Sequence, residues 1–549
     1  MQQVRPGDRL ESWKAIAAYL KRGVRTVRRW EAQEGLPVHR HMHRTLGSVY
    51  AYKSEIDAWR ENRPAHSGQP DADPGRHLGA APGSPASIAV LPFANLSLEP
   101  ENAYFADGLT EEIIADLSRV SGLRVISRTS SMVFKHTRKA LRTIAHELGV
   151  RYLLQGSVRR AGQQLRISAQ LIDARSDVHL WAENYDGTVE DVLAIQERLA
   201  RLIVAALQLR LTDEEQRRLS EHPIRDHRAY ECYLRARHEA LRWQREAIDH
   251  AIRLLHNGLA IVGDNATLYA ALGHAYLHYR EAGIDLGERP LNEAEKCARR
   301  VRAIDPGSAA GPRLRGWIQY ARGLIQDAVR ELKVALAIDP NDVDALLLLC
   351  NCYLISGKVQ AMRPLSDRLQ ILDPLTPLTR CLPGFADLSD GNLQSALEPY
   401  RQMLDMDPTN PMARLFYVWV LALNGRKDMI STVLADVSEA ESNAVPVRVA
   451  RFLAHALSGR GHESLAMVTP EVEAVASASD VFARFLADGY AMSGEPERAL
   501  HWLAVAVERG YVNHPFLAQH NPCLHRLRSH PRFQALLALV HERWMAFET

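Results

Sequence analysis

Six cysteines in 549 residues, at 232, 297, 350, 352, 381 and 523, are too few and too scattered to staple a disulfide scaffold. No stretch approaches the ~18 consecutive apolar residues that a membrane span requires. The nearest, residues 343–355, is short and interrupted by Asp344 and Asn351. The opening Met-Gln-Gln-Val-Arg-Pro-Gly-Asp lacks the apolar core of a secretory leader, so a cytoplasmic protein without a membrane partner is expected. An excess of one charge is missing too. Lys and Arg number 67 against 65 Asp and Glu, a net +2, which confines any DNA-binding role to a local patch.

Phosphate-cradling glycine loops are also absent. There is no Gly-x-Gly-x-x-Gly, and Gly357-Lys358 runs into Val359 rather than a hydroxyl. His146-Glu147 and His541-Glu542 lack the second histidine of a zinc-protease helix. Asp107 and Asp173 are the carboxylates to weigh as catalytic, but a helix cap and a strand end account for them better. No catalytic residue, cofactor or metal is expected, and the chain reads as not an enzyme.

Residues 64–86 hold five prolines, four glycines and five alanines with almost no large apolar side chain. Such a segment cannot bury enough surface to fold and reads as a disordered linker. As a flexible chain it would span roughly 25 Å. It separates a module at 1–63 from a region at 87–211, and helical periodicity fills 227–549.

The first 63 residues carry 13 Lys and Arg against 7 Asp and Glu, a local +6 before three histidines are counted. Ser12 is a good N-cap, and Trp13, Ile16, Ala17 and Leu20 recur on one helical face. Lys21-Arg22-Gly23 makes a turn. In a second helix, about 25–33, Val24, Val27 and Trp30 oppose Arg25, Arg28 and Arg29. Guanidiniums on that outer face suit phosphates and guanine edges. Gly35-Leu36-Pro37 breaks the helix, 38–52 alternates as a β-wing, and 53–59 closes the module as a helix. His39, His41 and His43 share a strand face, yet no Cys or acidic ligand accompanies them in the sequence.

Ser12-Trp13-Lys14-Ala15-Ile16-Ala17, Arg25 to Glu31, Gly35-Leu36-Pro37-Val38 and Val49 to Trp59 resemble the MerR/excisionase-like winged helix-turn-helix. The resemblance implies that Arg22, Arg25, Thr26, Arg28 and Arg29 meet double-stranded DNA through the turn and second helix. Arg40 and Arg44 would meet it through the wing. A homodimer is left open.

In the middle region, 87–93 and 123–127 read as strands, Asp107-Gly108-Leu109-Thr110 as a helix start, and 141–148 as a helix ended by Gly149. The runs 152–158 and 165–171 join at Ala161-Gly162, and the second alternates strictly, predicting one buried sheet face. Residues 179–182 offer a further strand. Leu91-Pro92-Phe93, Phe105-Ala106-Asp107-Gly108, Gln155 to Arg159 and Leu171-Ile172-Asp173-Ala174 resemble the TolB N-terminal-like domain, which implies an α/β fold.

Asp-Pro recurs at 305–306, 339–340, 373–374 and 407–408, a spacing of 34 each time. Gly316, Ala328 and Leu332, and again Gly384, Ala396 and Tyr400, fall at matching places in two units, with Ala335 and Leu404 near the end of each. Gly494 with Ala499 and Leu503 marks a further unit. The pattern resembles tetratricopeptide repeats, implying stacked helix pairs with a concave groove for a protein or peptide partner. Tyr511 to Phe533 reads as a terminal cap.

The fold class expected is therefore multidomain α+β: a small winged helix-turn-helix, an α/β sandwich domain and an all-α solenoid. The function expected is a DNA-binding transcriptional regulator whose later parts recognise a signal or partner. The alternative is a non-enzymatic interaction scaffold whose N-terminal module leaves DNA alone.

Overall fold

The computed structural model describes residues 8–10, 12–20, 27, 31, 36–41, 48–61, 86–97, 99, 102–438 and 441–549. The chain divides into two compact units, 1–77 and 78–549.

In the first unit, β1 (Arg9–Leu10), β3 (Ser48–Tyr52) and β2 (His39–His41) form an antiparallel sheet in the order β1-β3-β2, with His39 opposite Tyr50 and Arg40 opposite Val49. Helices α1 (Trp13–Leu20) and α2 (Lys53–Glu61) flank it in the chain. Ile16, Ala17, Val27, Leu36, Ala51 and Ile56 form the core, edged by Trp13, Leu20 and Trp59. The linker 64–86 falls outside the described residues except for Ala86.

The second unit opens with a mixed sheet. Strands β4 (Ala86–Val90), β6 (Leu123–Val125), β7 (Tyr152–Ala161), β8 (Gln164–Asp173) and β9 (Val178–Thr188) lie in the order β6-β4-β7-β8-β9, and β5 (Ala94–Asn95) pairs with β7. The β4–β6 and β4–β7 pairs are parallel; β7–β8 and β8–β9 are antiparallel. Strand alternation sorts the side chains. Ile88, Val90 and Leu154 pack with α3 (Ala103–Ser118) and α6 (Val192–Ala206), whereas Ala89, Leu91 and Leu153 pack with α5 (Leu141–Leu148). Along β8, Leu165, Ile167 and Ala169 are buried between more exposed neighbours, and Leu171, Ile172 and Asp173 at its end are all buried. Helix α3 begins at Ala103, so Asp107 lies inside it and not at its start. Short helices α4 (Arg128–Met132) and α7 (Asp213–Ser220) complete the domain.

Antiparallel helix pairs follow: α8 (His227–Ala240) with α9 (Arg245–Val262), α10 (Ala266–Glu281) with α11 (Glu288–Ile304), α12 (Ala310–Ala321) with α13 (Ile325–Ile338), and α14 (Val343–Ile355) with α15 (Val359–Leu372). Next come α16 (Pro377–Ser389) with α17 (Leu397–Met406) and α18 (Pro411–Leu423) with α19 (Lys427–Ala435). The next unit joins α20 (Val445–Leu457) to the short α21 (Gly461–Ala466) and α22 (Pro470–Ala478). The last pair is α23 (Asp480–Met492) with α24 (Pro496–Glu508), and α25 (Pro531–Ala546) ends the array. The chain is thus mostly helical, with one mixed sheet and a repeat solenoid.

Two punctuation marks hold the period. Asp-Pro ends the second helix of a pair. Between the two helices of a pair, Gly323, Gly357, Gly391, Gly425 and Gly459 recur every 34 residues, each with φ between +65° and +84°. Only glycine adopts that left-handed backbone without strain. Gly494, at φ +79°, is one of these turn glycines. Gly316 acts differently: a Cβ there would lie 2.7 Å from Leu332 Cγ, so its bare backbone lets α12 and α13 approach.

The array closes on itself. Val512 N–H donates to the Ile355 carbonyl at 2.9 Å, and Asn513 Nδ2 donates to the Leu354 carbonyl at 3.2 Å and to Ser389 Oγ at 3.3 Å. Arg509, Asn513 and His520 sit against the successive turn glycines Gly323, Gly357 and Gly391. The stretch 509–520, which runs into the segment expected as a terminal cap, therefore crosses the turn edge of three earlier repeats.

Candidate functional site

Most of the expected DNA face is not among the described residues. Arg22, Arg25, Thr26, Arg28, Arg29 and Arg44 lie outside them; Arg40 is placed in β2 by its backbone alone. The frame that would carry them is described. Tyr19 Oη donates to Asp57 at 2.6 Å, tying the two helices together, and Ser54 Oγ donates to Asp8 at 2.6 Å, tying α2 to the sheet edge. His39 is engaged by Glu55, Nε2 to Oε2 at 2.6 Å, and stacks on Tyr50 with centroids 5.2 Å apart. Among the described residues no group of three or more His, Cys, Asp or Glu side chains is gathered as for a metal.

The two carboxylates weighed as catalytic are both in ion pairs. Lys135 Nζ donates to both oxygens of Asp107 at 2.7 Å, and His238 Nδ1 stands 3.6 Å away. Burial pushes the Asp107 pKa up, but His238 and Lys135 outweigh it and hold the carboxyl below its ordinary value. Asp173, the last residue of β8, accepts from Arg151 Nε at 2.9 Å and Nη2 at 2.8 Å.

Polar clamps join the α/β domain to the array at two places. At the first, Tyr104 Oη donates to Glu231 at 2.6 Å, and Arg160 donates to Tyr104 Oη at 2.7 Å and to Glu231 at 3.0 Å. Tyr233 Oη donates to Glu112 at 3.1 Å close by. At the second, Asp373 of an Asp-Pro turn accepts from Ser127 Oγ and, at 2.7 Å, from Ser130 Oγ, while Ser130 Oγ accepts the Leu375 amide at 2.9 Å. Sequence spacing carried no signal for either clamp, because each joins residues far apart along the chain.

Where a free concave groove was expected, the chain meets its own tail. Tyr320, Phe385, Phe416 and Trp419 face Arg484, Tyr511 and Phe516 around a cavity of about 140 Å³. Arg484 lies over Tyr511 at 4.4 Å. Trp419 Nε1 and Asn521 Nδ2 each donate to Asp488, at 2.8 and 2.7 Å.

An α/β domain joined to a helical-repeat array is the class this architecture defines. Residues 84–202 match the family model described as the HilA/YgeH-like transcriptional regulator, second domain. This is the segment expected to resemble the TolB N-terminal domain. Over 202 residues the chain is 48% identical to "Putative adenylate cyclase 3" of Rhizobium meliloti (strain 1021), covering 37% of this chain and 34% of that protein. The chain thus spans about a third of the length of the curated relative it matches.

Solved structures give looser likenesses. A thermophilic TPR protein from Thermus thermophilus is 19% identical, covering 36% of this chain and all of that one, with a TM-score of 0.30. TolB from Acinetobacter baumannii is 19% identical, covering 23% of this chain and 29% of that one, with a TM-score of 0.18. A tetratricopeptide repeat protein from Parabacteroides merdae is 14% identical, covering 50% of this chain and 99% of that one, with a TM-score of 0.31.

The match to a putative cyclase corrects one expectation. Missing phosphate loops and zinc spacings lead to the expectation of a non-enzyme, whereas the 48% identical relative carries an enzyme's name.

Proposed function

We propose that the chain is a DNA-binding transcriptional regulator in which residues 1–63 read DNA while the α/β domain and repeat array together receive a protein or peptide partner. The observation that carries this reading is the match of residues 84–202 to a transcriptional-regulator domain, lying just after a module with a local +6 charge. In this reading Arg25, Thr26, Arg28 and Arg29 enter the major groove, and Arg22, Arg40 and Arg44 hold phosphates, as in a winged helix-turn-helix. The two clamps support it from the other end, since they let a partner seated on the array act on the α/β domain as one body.

The test is binding of the full chain to random-sequence DNA pools at several salt concentrations, beside the triple variant Arg25→Ala, Arg28→Ala, Arg29→Ala. Enrichment of a defined site, lost in the variant, with a log–log salt slope shallower by about 1 per phosphate contact removed, supports the reading. Salt-insensitive or absent binding by the native chain refutes it.

A second reading follows from the 48% match: the chain, alone or within a longer assembly, takes part in cyclic-nucleotide synthesis. Incubation of the purified chain with ATP and a divalent cation, with cyclic AMP quantified, tests it directly.

A further inference from the structure

The 34-residue register lets the repeats be compared position by position, and one place departs from the rest. Lys427, at the start of α19, stands where Ile325, Val359 and Leu393 stand in the three preceding units. Arg451 in α20 takes the place of Leu349, Pro383 and Tyr417, and His455 that of Tyr353, Asp387 and Leu421. Ile325, Val359, Leu349, Tyr417, Tyr353 and Leu421 are all buried. Positions that those six residues fill with core side chains are here basic.

The space those side chains would fill stays open. Helices α19 and α21 have 9 and 6 residues, against 14 in each of α13 and α15. Their missing turns leave a cleft of about 280 Å³ between α19 and α20. Its floor is apolar, from Ile430, Leu434 and Ala454, and its wall is cationic, from Lys427, Arg451, His455 and Arg460.

These cations are poorly answered. Arg315 occupies the same register as Arg451 four units earlier, and there Glu331 meets it at 3.0 Å and Glu295 at 3.9 Å. At the same four-unit offset Met467 replaces Glu331, and Ser431, which lines the cleft, replaces Glu295. Among the described residues, the Arg451 guanidinium donates to the Ser442 carbonyl at 3.3 Å, and the Lys427 ammonium has no hydrogen-bond or ion-pair partner. Glu463 is the acid at hand, 3.1 Å from Arg460 Nη1 and 3.4 Å from His455 Nδ1. Three permanent cations against one carboxylate leave a surplus of positive charge. Burial and the Arg460 guanidinium, working against Glu463, keep the His455 imidazole below its ordinary pKa.

We propose that this cleft is a binding site for a small phosphate monoester. Lys427 and Arg451 hold the dianionic phosphate, Arg460 closes the rim, and the organic part lies on Ile430, Leu434 and Ala454. The charge surplus matches a phosphate dianion better than a carboxylate, and a guanidinium grips phosphate oxygens in pairs. The apolar floor selects an ester over the free ion.

Isothermal titration of the full chain with phenyl phosphate tests the assignment, with inorganic phosphate and phenyl sulfate as the controls for ring and charge. One equivalent of phenyl phosphate is expected to bind, about tenfold or more tighter than either control. Lys427→Gln and Arg451→Gln are each expected to weaken it by about tenfold, and Arg315→Gln to leave it unchanged. Melting curves establish that the variants are folded. Absence of saturable binding at millimolar phenyl phosphate, inorganic phosphate binding as tightly as the ester, or affinity unchanged in Lys427→Gln and Arg451→Gln would each overturn the proposal.

Discussion

Ser130 Oγ donates to Asp373 Oδ1 at 2.7 Å, joining α4 in the α/β domain to an Asp-Pro turn 243 residues further on. The other Asp-Pro carboxylates stay local. Asp305 accepts the Gly307 amide, Asp339 the Asn341 amide, and Asp407 bonds Thr409 and Asn410. At one repeat out of four, a turn residue has been diverted to hold a neighbouring domain.

Asp373→Ala should therefore cost far more than its equivalent one repeat later. Asp373 is 2% exposed and also accepts from Thr379 Oγ1 at 3.1 Å, so its loss strands several buried hydroxyls. The expected cost is about 3 kcal/mol, against less than about 1 kcal/mol for Asp407→Ala. Hydrogen exchange should show the loss concentrated in α4, β6 and the 371–375 turn.

The turn glycines give a graded series. Gly425 and Gly357 share the same backbone, φ +68° and +65°, but a Cβ at 425 meets open space while one at 357 would lie 2.6 Å from Asn513 Oδ1. Gly425→Ala should cost about 1–2 kcal/mol, the left-handed penalty alone. Gly357→Ala should cost more, about 2–4 kcal/mol, because Asn513 must also release its partners. Denaturant unfolding of both variants separates the two contributions.

Acid should loosen α7 through Glu215. Its Oε1 accepts the Ser121 amide at 2.7 Å, and its Oε2 accepts Thr212 N–H at 2.8 Å and Thr212 Oγ1 at 2.9 Å. Burial raises its pKa, but the bonds from Ser121 and Thr212 prevail and bring it to about 2, from an ordinary 4.5. Because the folded value is depressed, the stabilisation is complete above about pH 4.5 and is lost as pH falls toward 2. The contribution is roughly 1–3 kcal/mol. In Glu215→Gln, the slope of stability between about pH 5 and about pH 2.5 should flatten by that amount.

The thiols should report the packing. All six cysteines are free; Cys232 is partly exposed and the other five are buried. Burial pushes the Cys350 thiol up to about 12 and the Cys352 thiol higher still, so neither offers thiolate near neutral pH. An aromatic disulfide reagent should titrate about one thiol in the native chain and all six after denaturation.

Local pattern carried much of the architecture. The strict alternation of β8, the end of α5 at Gly149 and the 34-residue Asp-Pro period each stand in the structure where the residues placed them. Other features misread for physical reasons. Asp107 looks like a helix start because acidic residues follow it, yet α3 begins four residues earlier, where Tyr104, Phe105 and Ala106 have a core to enter. Gly316 and Gly323 are alike in sequence, and only backbone geometry tells a packing glycine from a turn glycine. The cationic cleft has no local signature, because Lys427 and Arg451 are ordinary basic residues in sequence until the register shows what they replace.

Periodicity, composition and turn chemistry act over a few residues, so the sequence by itself determined the helix pairs, the repeat length and the excess positive charge of residues 1–63. Tertiary structure alone decided that Asp373 clasps Ser127 and Ser130, that the tail crosses the turn glycines of three earlier repeats, and that shortened helices leave a basic cleft open. Those outcomes depend on how small rotations between successive helix pairs accumulate, which brings together groups hundreds of residues apart.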